Sequence, residues 1–375
     1  MTRRRSSIAV LFSLALLAAL PAHAGAFVYA FPDGYGDYHT YTEMVADLQA
    51  VADAHPDIVS LSPYGTSYEG RTLWKLKISD NAGTDEDEPE VLISAMQHAK
   101  EHLGLEQALA IIHWLTDDYG EPGHQRTTDI VNTREIWVLP EINPDGAEFD
   151  IRGGHFHNWR KNRQPNEGSE FIGTDLNRNY GFHWGCCGGA SANPASIVYR
   201  GPAKWSAPET SWARDFVRSR RVDGDQQIVY ALSLHQHAEK ILYPMGYTTE
   251  AVPVGVDAHD HLLLKRTAQH MAMLNGYQAQ QAARWYISSG TGGDWAYARQ
   301  GIYAYTFELP PVASPTGGYL PNEEILPAVE NNRGAILWLI EQAECPAEVL
   351  GETCDNGVAR PSTGAPAAVG RATVV

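Results

Sequence analysis

The sequence has no apolar run long enough to cross a membrane. Its longest run, residues 8–20, has thirteen positions, whereas a helix needs about 20 apolar residues to span the hydrocarbon layer. A basic head with three arginines precedes this run, and AHA at 22–24 follows it with the small-x-small pattern of a signal-peptide cleavage site. We therefore predict residues 1–24 to be a cleaved secretory signal and the protein to be secreted, either extracellular or periplasmic.

Positive charge is scarce. The chain has 28 Lys and Arg against 45 Asp and Glu, a net charge of −17, and the predicted signal contains three of the arginines and no acid. Such a surface repels nucleic acid and anionic membranes, so we expect neither as a partner. The same acidity suits calcium, which prefers clustered carboxylate oxygens.

Cysteine is also scarce, with four in 375 residues. Four cysteines in an exported protein usually pair, and four allow three connectivities. Because Cys345 and Cys354 are close in sequence, we expect a local bridge between them. That pairing leaves the adjacent Cys186 and Cys187 as a vicinal pair.

No internal repeat or interior linker divides residues 25–345, which we predict to be one domain, and residues 346–375 form a C-terminal extension with few large apolar residues, largely a flexible tail. Short β-rich runs alternate with longer amphipathic runs, which indicates an α/β sandwich with a mainly parallel central sheet. The predicted strands are 72–78, 90–96, 135–142, 228–234 and 303–309, and the clearest predicted helices are 43–55, 105–119 and 261–274.

Polar residues with useful chemistry stand at or just after the ends of these strands. They are His98, Asn143, His235 and Glu308. Because ligands bind beyond the carboxyl ends of parallel strands, we expect these side chains to meet at one edge of the sheet.

The stretch QHAKEH at 97–102 fits two zinc-peptidase patterns. In one pattern His98 and His102 bind zinc and Glu101 is the base; in the other His98 and Glu101 are the ligands. The first pattern needs a helix that already runs at His98. Helical periodicity begins only near Leu103, after a strand and a turn, so the context favours His98 with Glu101 and makes His102 a residue packed beside the site.

A catalytic zinc usually has three protein ligands and one open position. His235, at the end of a predicted strand, is the third candidate, although a histidine in that position is more often only hydrogen-bonded. His237, on the same side of an extended chain, competes with it for this role.

Longer motifs around these residues resemble the zinc carboxypeptidase A/B family over roughly residues 30–345, and within it the carboxypeptidase T branch, which shares ISDNAGTDEDEPEVL, WGCCGG and the terminal cysteine pair. The motifs that carry the family resemblance are QHAKEH, NPDG at 143–146, NWRKNR at 158–163, GTDLNRNYGF at 173–182, SLHQHAEKILYPMGY at 233–247, and Tyr286 followed by GGDWAY and TFEL.

The resemblance implies a three-layer α/β sandwich with a mixed, mostly parallel sheet of about eight strands and helices on both faces. It also implies a monomeric peptidase that acts on peptides or proteins with a free C-terminal carboxylate. The implied roles are zinc binding by His98, Glu101 and His235, orientation of the first histidine by Asp175, general base catalysis by Glu308, oxyanion stabilisation by Arg160, and binding of the substrate carboxylate by Asn177, Arg178 and Tyr286.

The resemblance also bears on a second metal. Composition alone favours a solvated acidic loop for DEDEPE at 85–90. The carboxypeptidase T branch implies instead a calcium site, with ligands Asp85, Glu86, Glu90 and Glu135.

Substrate preference is predicted from RWYISSGTGGDW at 284–295. Gly293 stands where family members specific for basic residues have aspartate, and Ser289 and Thr291 stand where carboxypeptidase T has acids. A buried ammonium without a counter-charge is costly, so we expect a hydrophobic or aromatic C-terminal residue.

Two substitutions depart from the family pattern, Lys100 for an arginine and His237 for a tyrosine, and the catalytic domain is expected to begin soon after the signal, with no room for an inhibitory prosegment. The alternatives to a digestive-type carboxypeptidase are a family member that acts on bacterial cell-wall peptides and, in another functional class, a non-catalytic peptide-binding homologue.

Overall fold

A computed structural model describes residues 28–313, 317–354 and 361. The predicted signal at 1–24 lies outside these residues, as does the predicted tail after 354 except for residue 361. Within the described part, no helix combines the length and the apolar character that a membrane crossing requires.

The described residues form ten strands. They are β1 (Val59–Thr66), β2 (Thr72–Ile78), β3 (Glu90–Ala95), β4 (Glu135–Leu139), β5 (Arg221–Val222), β6 (Asp225–Gln226), β7 (Ile228–Gln236), β8 (Lys240–Tyr243), β9 (Gln278–Gln281) and β10 (Tyr303–Leu309). Eight of them build one sheet in the order β1-β2-β4-β3-β7-β10-β8-β9, and β5 pairs with β6 as a separate ribbon.

The sheet is mixed, with its parallel strands in the centre. β4, β3, β7 and β10 run parallel to one another. On one side β1 and β2 pair antiparallel with their neighbours, and on the other β8 pairs antiparallel with β10 and parallel with β9. The central strands read as nearly continuous apolar runs, as expected for parallel strands covered on both faces. Their carboxyl ends all lie at one edge of the sheet.

The described residues also form ten α-helices. They are α1 (Tyr41–Ala54), α2 (Leu103–Thr116), α3 (Gln125–Val131), α4 (Pro144–Asp150), α5 (Pro208–Ser219), α6 (Ala258–Asn275), α7 (Ala282–Trp285), α8 (Gly292–Trp295), α9 (Asn322–Glu330) and α10 (Arg333–Glu341). Short turns of other helix types cover Leu176–Arg178, Ala296–Gln300 and Pro346–Leu350.

Local sequence explains where the longer helices begin and end. Thr40 and Glu43 form a reciprocal capping box at the start of α1, which satisfies two backbone N–H groups that the helix leaves free. Asp257 accepts hydrogen bonds from the first turn of α6. Gly276 ends α6 with a φ of 80°, a conformation that glycine adopts without steric cost.

Helices cover both faces of the sheet and enclose two apolar cores. The larger core lies between one face and helices α1, α2, α6 and α10, and it includes Leu48, Ile112 and Phe307. The smaller core lies on the other face, where Trp137 of β4 packs against Phe216 of α5, and it also includes Trp295 of α8. The predicted three-layer sandwich with a mixed sheet of eight strands is therefore confirmed.

Both predicted cysteine pairs are bonded in the structure, Cys186 with Cys187 and Cys345 with Cys354. The second bridge encloses the turn Pro346–Leu350, in which Ala347 is buried. Folded structure therefore continues past residue 345, where the predicted boundary of the domain lies, as far as the second cysteine of that bridge.

Candidate active site

The candidate site lies at the carboxyl ends of three neighbouring parallel strands. His98 lies in the turn after β3. His235 and Glu308 are the next-to-last residues of β7 and β10. Glu308 and His235 are direct partners in the parallel register of β10 and β7. The sheet thus places these three side chains together, as their positions at strand ends predict.

Three side chains that could hold a metal ion point their nitrogen or oxygen atoms toward one another at this edge. His98 Nδ1 lies 2.8 Å from Glu101 Oε1, and His235 Nδ1 lies 2.8 Å from Glu101 Oε2. The two Nδ1 atoms are 3.1 Å apart. All three side chains are buried.

This set fits a zinc ion on its own chemistry. Two imidazole nitrogens 3.1 Å apart can share at most one proton, and a buried carboxylate beside them carries negative charge. Two histidines and one glutamate are also a common ligand set of catalytic zinc, which leaves a position open for water.

The charges in this set hold one another in place. Burial alone would raise the pKa of Glu101, but the neighbouring charges of His98 and His235 outweigh it and hold that pKa well below its usual value. For His235, burial acts to lower the pKa, and the Glu101 carboxylate outweighs it and raises the pKa.

His102 lies outside this group and has a different environment. It directly precedes α2, which begins at Leu103, and its Nε2 lies 3.0 Å from Asp150 Oδ2. Its ring packs against aromatic rings that include Phe31 and Tyr319. The buried histidine beside the site is therefore held by a carboxylate from α4. Among the described residues, His237 does not join the His98 group either.

Asp175 links the first histidine to an arginine. Its Oδ1 lies 3.1 Å from His98 Nε2, and its Oδ2 accepts from Arg160 Nε at 3.0 Å. A carboxylate at Nε2 fixes the ring so that Nδ1 faces the metal position, which ligating histidines generally need. Burial acts to raise the pKa of Asp175, but the adjacent Arg160 and His98 outweigh it, so that this pKa is strongly lowered and the side chain is ionised.

Glu308 is 6% exposed and stands beside His235 without belonging to the set of three. Burial raises the pKa of Glu308 to about 7, although the nearby His235 and Arg160 act in the opposite direction. A carboxyl group that titrates near neutrality can both accept and return a proton.

The residues predicted to bind a carboxylate lie beside Glu308 around a common pocket. Arg178 is held by two backbone carbonyls, since its Nε donates to Gly189 O and its Nη1 to Asn177 O, both at 2.7 Å. Asn177 Oδ1 accepts from the backbone N–H of Gly292 at 2.9 Å. Tyr286 is 44% exposed, and the Arg178 guanidinium lies 5.9 Å from the centre of its ring.

The pocket and the open solvent at its mouth together have about 500 Å³ of space outside protein atoms. Its deeper wall comes from β8, which carried no local signal in the sequence, and from the middle of β10. The additional lining residues are Leu242, Tyr243, Pro244, Ala282, Ser288, Thr291, Gly293, Asp294, Ala304 and Thr306.

Two of the pocket residues bear on its charge. A Cβ built on Gly293 meets no atom within 4 Å, so the pocket is open where the family resemblance places an aspartate in basic-specific members. Asp294 does line the pocket, but both its carboxylate oxygens accept from the backbone N–H of Gly246, at 2.9 and 3.0 Å. Burial raises the pKa of Asp294 to about 7, which weakens it as a counter-charge.

The structure brings three of the four predicted calcium ligands together and leaves the side chain of the fourth, Glu86, apart. Asp85, Glu90 and Glu135 do lie together, but Arg220 contacts all three, at 2.5, 2.6 and 3.6 Å. Lys77 Nζ adds a second positive charge 2.6 Å from Glu135.

The side chain of Glu86 belongs to a different group, with Asp80 and Glu88. Burial and the charges of these two neighbours raise the pKa of Glu88 to about 7. The predicted calcium site came from the resemblance to the carboxypeptidase T branch, and the sequence did not show that Arg220 and Lys77 lie beside three of its four acids.

Known proteins match this chain over most of its length. The family model described as zinc carboxypeptidase matches residues 44–335. The chain is 42% identical over 324 residues to a zinc carboxypeptidase from Saccharothrix mutabilis subsp. capreolus. The aligned residues cover 86% of this chain and 74% of that protein. It is 31% identical over 312 residues to human carboxypeptidase B, which covers 81% and 70%. The crystal structure of carboxypeptidase A from Helicoverpa armigera superposes with a TM-score of 0.72 at 28% identity, and covers 84% and 75%.

Proposed function

Because the chain belongs to the zinc carboxypeptidase family and is a zinc-dependent metallocarboxypeptidase, we propose that it removes hydrophobic or aromatic residues from the C-termini of peptides and proteins. The observation that carries this proposal is the common pocket of Glu308, Arg178 and Asn177, which opens beside the His98–Glu101–His235 group. The pocket therefore offers a base, a carboxylate partner and a side-chain cavity next to one metal position.

His98, Glu101 and His235 are the proposed zinc ligands. When bound, zinc supplies Lewis-acid polarisation of the scissile carbonyl and lowers the pKa of water. Glu308 then accepts the proton of the attacking water on its carboxylate and returns it to the leaving amine, which needs a group with a pKa near the working pH. Arg160, held by Asp175, presents its guanidinium toward the negative charge that develops on the carbonyl oxygen.

Arg178 and Asn177 are proposed to bind the free carboxylate of the substrate. A guanidinium is planar and always charged, so it suits a carboxylate better than a flexible ammonium does. Two backbone carbonyls already fix the Arg178 side chain, so little of its conformational freedom remains to be lost when substrate binds. Tyr286, at the exposed side of the pocket, covers the same substrate group.

The direct test combines metal content with product analysis. We expect close to one zinc per chain, and release of single C-terminal residues from a peptide panel that stops when a chelator is added. Internal cleavage of the same peptides, or full activity after the metal has been removed, would contradict the proposal. A homologue that only binds peptides would retain substrate without releasing any amino acid.

Substrate preference gives a sharper prediction. Wild-type enzyme should favour C-terminal Phe or Leu over Lys or Arg by at least about tenfold in kcat/KM, which corresponds to about 1.4 kcal/mol. Gly293→Asp should raise kcat/KM for Lys and Arg, because the new carboxylate enters open space in the pocket. Gly293→Asn is the matched control, since it has the same size without the charge. If Gly293→Asp and Gly293→Asn had the same kcat/KM for Lys and Arg, or if wild type already preferred these residues, the carboxylate that binds a basic side chain would have to come from another position.

For the acidic group beside β3 we propose Arg220 and Lys77 as the counter-charges in place of calcium. The melting temperature of wild-type protein should then stay nearly constant in a calcium titration. Arg220→Gln leaves three carboxylates with Lys77 alone, and breaking such a buried pair costs about 3–5 kcal/mol. The melting temperature of this variant should be lower and should rise with calcium. A rise of similar size in wild type would restore the calcium prediction made from the sequence.

We also propose that the protein is exported. Disulfides persist mainly in oxidising compartments, and all four cysteines are paired in the structure. Mass analysis of protein from the culture medium and the periplasm, with N-terminal sequencing, should locate the mature start near residue 25. Retention of the full chain in the cytoplasm would contradict export.

A further inference from the structure

The floor of the substrate pocket borders a second cavity. The first pocket runs along one face of β10, where Glu308, Thr306 and Ala304 follow one another at alternate positions. The second cavity, with about 480 Å³ outside protein atoms when open solvent is included, begins at the far end of this row and shares Gly293 and Ala304 with the first. The methyl group of Ala304 and the backbone of Gly293 therefore line both spaces.

Small side chains on the central strands create this cavity. Ala231 of β7 is the register partner of Ala304, and Ser233 is the partner of both Thr306 and Ser94. Ser94, Ala231 and Ser233 keep partly accessible surface although they lie on central strands covered by helices. Strands at this position usually carry bulky apolar residues, so these short side chains leave space beside the sheet that no neighbour fills.

The opposite wall of the cavity is predominantly apolar. Val217 of α5 and Trp295 of α8 face the strands across it, and Leu139 of β4 adds apolar surface on the side of the sheet. The polar side chain of Gln97 is tied to Ser233, to whose Oγ its Nε2 donates at 3.1 Å. A ligand that enters from the substrate pocket would therefore meet mainly apolar surface.

Distance along the strand indicates what could reach this space. At about 3.3 Å per residue, Thr306 lies about 7 Å and Ala304 about 13 Å from Glu308 along β10. A C-terminal phenylalanine would be held in the first pocket, whereas a side chain with two rings in line would extend toward the border at Gly293 and Ala304.

We propose that the side-chain pocket continues past Gly293 and Ala304 into the second cavity, and that the enzyme accepts C-terminal residues with elongated apolar side chains. This inference rests on the proposed function, because it assigns the substrate class of the same pocket. The open space at Gly293 and the short side chain of Ala304 are the specificity-determining features.

The test compares two substrates that differ only in the C-terminal residue, phenylalanine or 4-phenylphenylalanine. In wild type, kcat/KM for the longer residue should lie within about tenfold of the value for phenylalanine, a small difference on the scale of hydrophobic pockets. In Ala231→Ile, which fills the cavity from β7 without lining the first pocket, the ratio of the longer to the shorter substrate should fall by about tenfold or more.

Ala213→Leu fills the same cavity from α5 and replaces Ala231→Ile if that variant does not fold. The melting temperature of each variant shows whether it is folded. The inference would be overturned, while the proposed function stands, if wild type released phenylalanine but rejected the longer residue. An unchanged ratio of kcat/KM for the two substrates in a folded variant would overturn it too. Failure to release phenylalanine would instead overturn the proposed function.

Discussion

Glu308→Gln is expected to lower kcat by at least about a hundredfold, the usual minimum contribution of a positioned general base. The substitution keeps the shape of the side chain but removes its ability to accept a proton. Glu308 is 6% exposed and stands beside His235 outside the three proposed ligands, so the amide should fit without displacing them. Zinc content and the binding of a non-hydrolysed peptide should therefore remain close to wild type.

Glu308→Asp is the matched control for this prediction. It keeps the carboxylate but withdraws it by one methylene, so its activity should lie between those of wild type and Glu308→Gln. The measurement is kcat and KM for a peptide ending in phenylalanine, together with zinc per chain. Near-normal turnover in the Gln variant would show that another group takes the proton. Loss of zinc would show that Glu308 supports the metal group instead.

Much of this site could be predicted because its residues occur where strand patterns end. The apolar runs that became β3, β7 and β10 were clear in the sequence, and parallel strands bring their carboxyl ends to one edge. The start of α2 at Leu103 was equally clear from the helical periodicity. Because QHAKEH precedes that helix, the sequence favoured His98 with Glu101 over His98 with His102 as the ligand pair. Local periodicity therefore carried both the fold and the placement of His98.

Contacts between distant segments could not be read in this way. Arg220 pairs with Glu90, which is 130 residues away in sequence, and His102 contacts Asp150, which is 48 residues away. Neither pair has a spacing that a pattern could detect, because the sheet and helices bring the partners together only after folding. The sequence of 85–90 therefore gave no sign that Arg220 and Lys77 lie beside three of the predicted calcium ligands.

The pocket wall shows the same limit. β8 is four residues long and β9 is polar, so neither gave a strand signal, yet Leu242 and Tyr243 of β8 line the substrate pocket. The cavity beyond it depends on small residues such as Ala231 and Ala304, which in the sequence look like ordinary members of apolar strands. Small side chains on a strand leave a cavity only when the helix that packs opposite does not fill the space, which the sequence of the strand does not show.

The two histidines and the one glutamate of QHAKEH at 97–102 give the last prediction. Glu101→Ala should abolish stoichiometric zinc binding, because it removes a buried anionic ligand that contacts both His98 and His235 at 2.8 Å. His102→Ala should retain zinc, because its ring faces Asp150 and a cluster of aromatic side chains. The measurement is zinc per chain after dialysis against a weak chelator.

The two variants should separate metal loss from loss of stability. His102→Ala removes a buried hydrogen bond, which costs about 1–3 kcal/mol, while Asp150 keeps bonds from the Trp159 backbone N–H and the Tyr319 hydroxyl. Its melting temperature should fall while its activity per bound zinc stays near that of wild type. Glu101→Gln is the matched control, because it preserves the volume of Glu101 and should still lose most of the metal. Zinc lost from His102→Ala but kept by Glu101→Ala would mean that His98 and His102 form the ligand pair, with Glu101 as the base between them.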